Sequence, residues 1–199
     1  MTNFIIKETS IEGLKVGQIQ SKLDERGYFE RVYCYKEYEE LSGRSFQIKQ
    51  INRSMSKIKG TTRGLHFQWP PFAETKIVSC PSGRLFDVAV DLRVDSPTYL
   101  KYYSVELTGD NKKFLIIPEG FGHGFQTLEP NTEILYLVTE EFSLQHDDGI
   151  NPVDPAIGVE WPLSITLRSE KDTNRKYISD RNFKGVQLKG RKGEITYAI

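Results

Sequence analysis

Arg84-Leu-Phe-Asp-Val-Ala-Val-Asp-Leu-Arg93 is the clearest β-strand in this sequence of 199 residues. Successive side chains of a strand point to opposite faces, so one face carries Phe86, Val88, Val90 and Leu92. The other face carries Leu85, Asp87, Ala89 and Asp91. A buried carboxylate is costly unless it is paired or functional. The second face therefore either looks at solvent or lines a polar pocket inside a β-barrel.

Short strands are predicted on both sides of this stretch. Further strands are expected at residues 3–9, 14–19, 28–33, 76–80, 102–107, 114–117, 124–128 and 133–139. A charged turn is expected at 22–27, a helix at 35–41 that ends before Gly43, an extended segment at 46–54 and a loop at 143–160. Strands spaced by about 8–12 residues with turns between them predict an antiparallel sandwich or barrel. No βαβ pattern is present, which argues against a doubly wound nucleotide-binding fold.

Length and composition indicate one domain and exclude several classes of protein. Basic and acidic residues number 27 each, and this balance argues against a protein that mainly binds nucleic acid non-specifically. Cys34 and Cys80 form no CxxC pair, so neither a disulfide framework nor a zinc knuckle is indicated. We find no signal-peptide pattern and no apolar run of about 20 residues, and we expect a cytoplasmic protein that does not enter a membrane.

Two of the three histidines lie among glycines and aromatics, in Thr62-Arg-Gly-Leu-His-Phe-Gln68 and Ile117-Pro-Glu-Gly-Phe-Gly-His-Gly-Phe125. A lone histidine is more often structural than catalytic. Arg63, however, could bind a phosphate or carboxylate beside His66, a group that titrates near neutrality. The glycines around His123 would let a ligand approach closely. We interpret the two segments as parts of one active site.

Other candidate residues remain open between a structural and a chemical role. Tyr136 is either an aromatic of the barrel wall or a phenol acid, and Lys76 opens a strand and could point either way. Asp172 alone would pass as a carboxylate at a helix N-terminus. No His-x-His pair is present, and a three-histidine site would need His66, His123 and His146 together, so we expect no catalytic metal.

Five motifs in order resemble the dTDP-4-dehydrorhamnose 3,5-epimerase family. They are Arg63-Gly-Leu-His-Phe-Gln68, Phe86-Asp-Val-Ala-Val-Asp-Leu-Arg93, Ser96-Pro-Thr98, Ile117 to Phe125 and Ile157-Gly-Val-Glu-Trp-Pro162. The resemblance runs from about residue 24 to 172 and implies an all-β, double-stranded β-helix (cupin-like jelly-roll) barrel with short peripheral helices. It implies one epimerase domain, with an N-terminal arm at about 1–55, a core at about 56–145 and a C-terminal segment at about 146–199. It also implies a homodimer without metal or cofactor that epimerises a nucleotide-linked 4-keto-6-deoxy sugar.

The resemblance also assigns roles to residues. His66 corresponds to the base, Asp172 to the carboxylate that orients it and Tyr136 to the acid. Lys76 matches the lysine near the keto group, His123 the second histidine and Asp87 the buried aspartate. The substrate-binding positions are Arg26, Phe29, Glu30, Gln50, Asn52, Arg63 and Phe142. Three departures affect recognition of the nucleotide and sugar: Leu137 replaces a frequent lysine, Glu141-Phe142 replaces a tyrosine pair, and the loop Trp69-Pro-Pro-Phe72 is less polar than usual.

Three alternatives to 3,5-epimerisation remain at this stage. An enzyme that inverts only C3 would use the same base. A 3,4-ketoisomerase of the same fold is disfavoured by the Arg-Gly-Leu-His and Glu-Gly-Phe-Gly-His motifs. A catalytically silent sugar-binding cupin would be expected if the base, its carboxylate or the acid were missing, and all three are present.

Overall fold

The computed structural model describes residues 3–43, 45 and 47–188, with residue 41 described by its backbone alone. These residues form thirteen strands: β1 (Phe4–Glu8), β2 (Lys15–Ile19), β3 (Lys22–Asp24), β4 (Gly27–Phe29), β5 (Gln50–Ser56), β6 (Thr62–Gln68), β7 (Lys76–Ser82), β8 (Arg84–Asp91), β9 (Tyr102–Thr108), β10 (Lys113–Ile117), β11 (Phe121–Thr127), β12 (Thr132–Val138) and β13 (Asp147–Gly149). The helices are α1 (Tyr35–Ser42), α2 (Glu170–Thr173) and a 3-10 turn at Ile178–Asp180.

Two antiparallel sheets face each other. The six-stranded sheet has the order β1-β2-β10-β7-β12-β5, and the five-stranded sheet has the order β13-β6-β11-β8-β9. From β5 onward the chain passes repeatedly from one sheet to the other, as in a jelly roll. The prediction of an all-β, double-stranded β-helix barrel with short peripheral helices is confirmed.

Strand β8 has both faces buried. Leu85 and Ala89 pack between the two sheets, whereas Val88 and Val90 pack outward against the C-terminal residues of the chain, including Ile150. Asp87 is on the inner face and is fully buried. The structure therefore excludes the alternative that this face looks at solvent, because the opposite sheet covers it.

Helix α1 covers the outer face of the six-stranded sheet. Its Tyr38 packs edge-on against Phe4, with ring centroids 4.7 Å apart, and also contacts Phe114. Gly43 adopts the left-handed conformation at φ 69° and donates its backbone N–H to the carbonyl of Glu39. A residue without a Cβ suits this conformation, so the predicted end of the helix is confirmed.

Three expectations from the sequence were wrong in detail. The charged turn at 22–27 is mostly a hairpin, β3–β4, and only Glu25 and Arg26 turn between its strands. The strand expected at 28–33 ends at Phe29. The loop expected at 143–160 contains β13, which pairs with β6 through its backbone. The C-terminal segment expected at about 146–199 is described as far as residue 188. None of the described helices has the length and apolar composition needed to cross a membrane.

Candidate active site

A cavity of about 310 Å³ lies between the two sheets. One wall comes from the five-stranded sheet and the other from the six-stranded sheet. The lining side chains that could carry chemistry are Arg63, His66, Glu74, Lys76, His123, Tyr136 and Asp147. Gln50, Asn52 and Phe142 line it as well. The topology thus brings together residues from six different strands and two loops.

His66 on β6 is paired with a carboxylate from α2. Its Nε2 donates to Oδ1 of Asp172 at 2.5 Å, across a separation of 106 residues in the chain. Asp172 is 2% exposed, and its backbone N–H donates to Oγ of Ser169, the N-cap of α2. Burial of Asp172 opposes its ionisation, but the hydrogen bond and charge of His66 outweigh burial and hold the pKa of the carboxyl below its usual range.

The ionised carboxylate fixes the tautomer of His66. An ionised carboxylate only accepts hydrogen bonds, so Nε2 of the imidazole carries the proton. Nδ1 is then left with a free lone pair. The side chain of His66 is 36% exposed, which leaves the imidazole open to the cavity it lines. A partly accessible imidazole held by a buried carboxylate is the arrangement that a general base requires.

His123 lies directly opposite His66 in the register of β11 and β6. Its Nε2 donates to Oδ1 of Asp87 at 2.8 Å. The two strands approach closely because Gly64 and Gly124 face each other: a Cβ on Gly64 would lie 2.5 Å from the Cα of Gly124. Gly64 also has a φ of 110°, which side chains rarely adopt. This contact places two histidine–aspartate pairs side by side in one wall.

Tyr136 and Lys76 form part of the opposite wall. They lie on neighbouring strands, where Tyr136 pairs with Val78 and Lys76 with Val138. Burial raises the pKa of the Tyr136 phenol; the charge of Glu74 raises it further, and that of Arg63 lowers it. The phenol therefore stays protonated at neutral pH and is available as a proton donor.

Glu74 is a residue of this site that the sequence motifs did not indicate. Its Oε1 lies 3.2 Å from Nζ of Lys76. Residues two apart in an extended chain point to the same face, and Glu74 stands two residues before Lys76. That spacing is the signal that could have identified it.

The predicted substrate-binding residues fall into two groups. Gln50, Asn52, Arg63 and Phe142 line the cavity, and Nε of Arg63 donates to Oγ of Ser56 at 3.3 Å. The other three residues, Arg26, Phe29 and Glu30, do not line it within one chain.

Those three residues belong to the hairpin β3–β4 and its exit. Arg26 contacts Asp24 within the hairpin turn. Phe29 is 59% exposed. Glu30 pairs with Lys112 at 3.1 Å. Within the part of the chain that the structure describes, no three His, Cys, Asp or Glu side chains are grouped so that they could hold a metal ion.

Comparisons with known proteins agree on one family. The family model for dTDP-4-dehydrorhamnose 3,5-epimerase matches residues 8–180. A dTDP-4-dehydrorhamnose 3,5-epimerase from Sinorhizobium fredii is 48% identical over 79% of this chain and 80% of its own length. A dTDP-4-dehydrorhamnose 3-epimerase from Streptomyces niveus is 31% identical over 91% of this chain and 87% of its own.

A solved structure agrees with these relatives. The dTDP-6-deoxy-D-glucose-3,5-epimerase of Legionella pneumophila, crystallised with dTDP-4-keto-L-rhamnose, superposes with a TM-score of 0.87 at 35% identity and covers 94% of this chain and 100% of that one. The fold, the order of the motifs and the overall sequence similarity point to the same relatives. The chain therefore belongs to the dTDP-4-dehydrorhamnose 3,5-epimerase family.

Proposed function

We propose that the protein is an isomerase that inverts C3 and C5 of a nucleotide-linked 4-keto-6-deoxy sugar, in the cytoplasmic biosynthesis of a rhamnose-type deoxysugar. The observation that carries this proposal is the placement of the His66–Asp172 pair and Tyr136 on facing sheets around one cavity. Epimerisation needs a base on one face of the sugar and an acid on the other, and the two walls supply them.

The C4 ketone makes the reaction possible. It acidifies the hydrogens at C3 and C5, because the carbanion left after proton removal delocalises into an enolate. His66 removes the proton through Nδ1, the nitrogen that the hydrogen bond to Asp172 leaves free. Asp172 stabilises the imidazolium that forms.

Tyr136 completes the inversion. Its phenol returns a proton to the face opposite His66, and its raised pKa keeps that proton available. The ammonium of Lys76 or the doubly protonated imidazole of His123 stabilises the negative charge that develops on the C4 oxygen; His123 needs both protons for this, because its Nε2–H is donated to Asp87. One such preorganised donor is typically worth about 3 kcal/mol in the transition state. Asp87 orients His123 through the hydrogen bond to its Nε2. No redox cofactor takes part.

The nucleotide occupies the part of the cavity that is lined by Gln50, Asn52, Arg63 and Phe142. Arg63 binds the diphosphate, since a guanidinium offers paired donors to phosphate oxygens. Gln50 and Asn52 provide hydrogen-bonding amides. Phe142, which is 59% exposed, stacks on the nucleotide base.

The active unit is a homodimer. Hairpin β3–β4 exposes 81% of Leu23 and 59% of Phe29, and an exposed apolar hairpin is typical of a surface that another chain covers. In the dimer the hairpin of each subunit carries Arg26, Phe29 and Glu30 to the nucleotide end of the partner's cavity. This explains why the three residues stand apart from the cavity in a single chain.

The proposed reaction is tested by NMR of candidate nucleotide-linked 4-keto-6-deoxy sugars in heavy water. The wild-type protein should introduce deuterium at C3 and C5 and form the inverted product. His66→Ala should abolish exchange, whereas Tyr136→Phe should block inversion and still permit some exchange with retained configuration. A contribution of about 10²–10⁴-fold is typical of a general base, so these losses are measurable. His146→Asn, a histidine outside the cavity lining, serves as the control and should behave like the wild type.

Three outcomes would contradict parts of the proposal. Exchange by His66→Ala at near the wild-type rate would remove His66 from the role of base and make His123 the first replacement. Exchange at C3 alone would identify a C3 epimerase, the specificity named for the relative from Streptomyces niveus. Binding of the nucleotide sugar without any exchange would identify a non-catalytic cupin.

A further inference from the structure

Glu74 is a largely covered carboxylate of the active site that the proposed mechanism does not use. Its side chain and that of Lys76 are each only 11% exposed. The Glu74 carboxylate lies 3.2 Å from Nζ of Lys76, and Nζ also lies 3.4 Å from the carbonyl oxygen of His66. The ammonium of Lys76 is thus held between a carboxylate and the backbone of the proposed base.

Glu74 is itself fixed by a network around Gln68. Nε2 of Gln68 donates to Oε2 of Glu74 at 3.2 Å, to the carbonyl of Phe72 at 2.9 Å and to the carbonyl of Glu141 at 3.1 Å. Oε1 of Gln68 accepts from the backbone N–H of Ser143 at 2.7 Å. A side chain anchored to backbone groups of two loops moves little. The hydrogen bond from Gln68 therefore holds Glu74 in one position, and Glu74 in turn holds Lys76.

We propose that Glu74 is a positioning residue that holds the Lys76 ammonium at the place where the C4 oxyanion forms. The inference rests on the proposed function, in which Lys76 stabilises that oxyanion. A lysine side chain is long and flexible, and an unpaired ammonium in a partly dehydrated cavity would turn towards solvent. The paired carboxylate prevents this and offsets the cost of keeping the charge in the cavity.

The negative charge of Glu74 also acts on Tyr136. The other charged or titratable side chains that line the cavity are Arg63, His66, Lys76, His123, Tyr136 and Asp147. Burial is the largest cause of the raised pKa of the Tyr136 phenol. The negative charge of Glu74 raises this pKa further, and the positive charge of Arg63 lowers it. The Glu74 carboxylate thus acts on two proton-bearing groups of the wall opposite His66: it pairs with Lys76 and raises the pKa of Tyr136.

Three variants test the proposal. Glu74→Gln removes the charge but keeps the shape, and we expect kcat to fall about 10- to 100-fold, as for a displaced catalytic group, with KM changing less than about threefold. Glu74→Asp keeps the charge and should recover part of the loss. Glu106→Gln is the matched control, because it breaks an ion pair with Arg84 on the exposed surface and should leave kcat unchanged. A wild-type kcat in Glu74→Gln would overturn the proposal.

A double-mutant cycle with Lys76→Met separates positioning from a general structural effect. If Glu74 acts through Lys76, Glu74→Gln should cost little further activity in the Lys76→Met background. An equal loss in both backgrounds would contradict the proposal. Glu74→Asp replaces Glu74→Gln in the cycle if the latter does not fold.

A second measurement needs no substrate. The ionisation of tyrosines labelled with ¹³C at Cζ is followed by NMR during a pH titration, and the Tyr136→Phe variant assigns the Tyr136 signal. Glu74→Gln should lower the pH at which Tyr136 ionises. An unchanged titration would refute the contribution of Glu74 to Tyr136. Exchange by the wild-type protein in heavy water decides the proposed reaction separately, so failure of the reaction and failure of the role of Glu74 give different results.

Discussion

The side chain of Asp172 accepts a hydrogen bond from His66, and its backbone N–H donates to Ser169 at the start of α2. In the proposed mechanism Asp172 therefore orients His66 and stabilises its protonated form. We expect Asp172→Asn to lower the rate of C3 hydrogen exchange by about 10²- to 10⁴-fold, because the amide misorients the imidazole and no longer stabilises its protonated form. The residual rate should exceed that of His66→Ala, since the imidazole is still present. The measurement is deuterium incorporation by NMR. An Asp172→Asn rate equal to that of the wild type would show that His66 needs no carboxylate.

The individual site residues differ in how far sequence alone could assign them. His66 and His123 stand out because their glycine-rich surroundings are unusual for structural histidines. Asp172 lies 106 residues from His66 and resembles an ordinary helix carboxylate, so only the family resemblance connected the two. Glu74 was missed because its partner and its burial arise only when the loop before β7 folds against the cavity.

At the scale of elements, α1 is fastened to the N-terminal strand by Glu37. Its carboxylate accepts from the backbone N–H of Asn3 at 2.8 Å and from Arg31 at 2.7 Å. The hydrogen bond from the Asn3 backbone, helped by Arg31, outweighs burial and lowers the pKa of Glu37 to about 2. A carboxyl with a lowered pKa stabilises the fold above its ordinary pKa, and this contribution is lost as the pH falls towards the lowered value.

We therefore expect Glu37→Gln to lower the free energy of unfolding at pH 7 and to have a much smaller effect near pH 2. Urea denaturation of both proteins at several pH values gives the comparison. Glu106 pairs with Arg84 away from the helix, so Glu106→Gln is a suitable control for the loss of one carboxylate. A difference between Glu37→Gln and the wild type that stays constant from pH 7 to pH 2 would contradict the assigned role of the carboxylate.

Elements with a clear hydrophobic period were predictable, and the others were not. The sequences of strand β8 and its neighbouring strands either alternate between apolar and polar residues or are continuously apolar, because the barrel packs on one or both faces of these strands. Hairpin β3–β4 was partly missed because Leu23, Tyr28 and Phe29 are exposed in a single chain and give no core pattern. Strand β13 has the sequence Asp-Asp-Gly and exists only because its backbone pairs with β6.

At the scale of the whole molecule, dimerisation should bring each hairpin to the partner's cavity. Light scattering at micromolar concentration should give about twice the chain mass of 22.9 kDa. Phe29→Ala should raise KM for the nucleotide sugar with little change in kcat, because in the proposed dimer the residue contacts the nucleotide and not the reacting carbons. A monomer mass, or a Phe29→Ala variant with unchanged KM, would contradict this arrangement.

A metal requirement is tested on the whole molecule, because any metal site would have to be assembled from residues that are distant in the sequence. We expect full activity after exhaustive treatment with a chelator, since proton transfer and hydrogen bonding suffice to stabilise the enolate. Activity is measured before and after dialysis against the chelator. Loss of activity that one divalent ion restores would identify a metal-dependent enzyme.

Because the two walls of the cavity belong to different sheets, the enolate can be reprotonated from either of two sides. Once formed, it can be reprotonated by His66, which regenerates the substrate, or by Tyr136, which gives the epimer. Leu85 and Ala89 pack against the facing sheet, and we expect this packing to influence the width of the gap between the sheets and, through it, the competition between the two routes. Substitutions at these two positions should then alter the partition between isotope washout and inversion without removing a reacting group, and the commitment of each enolate to product would report how tightly the barrel is closed.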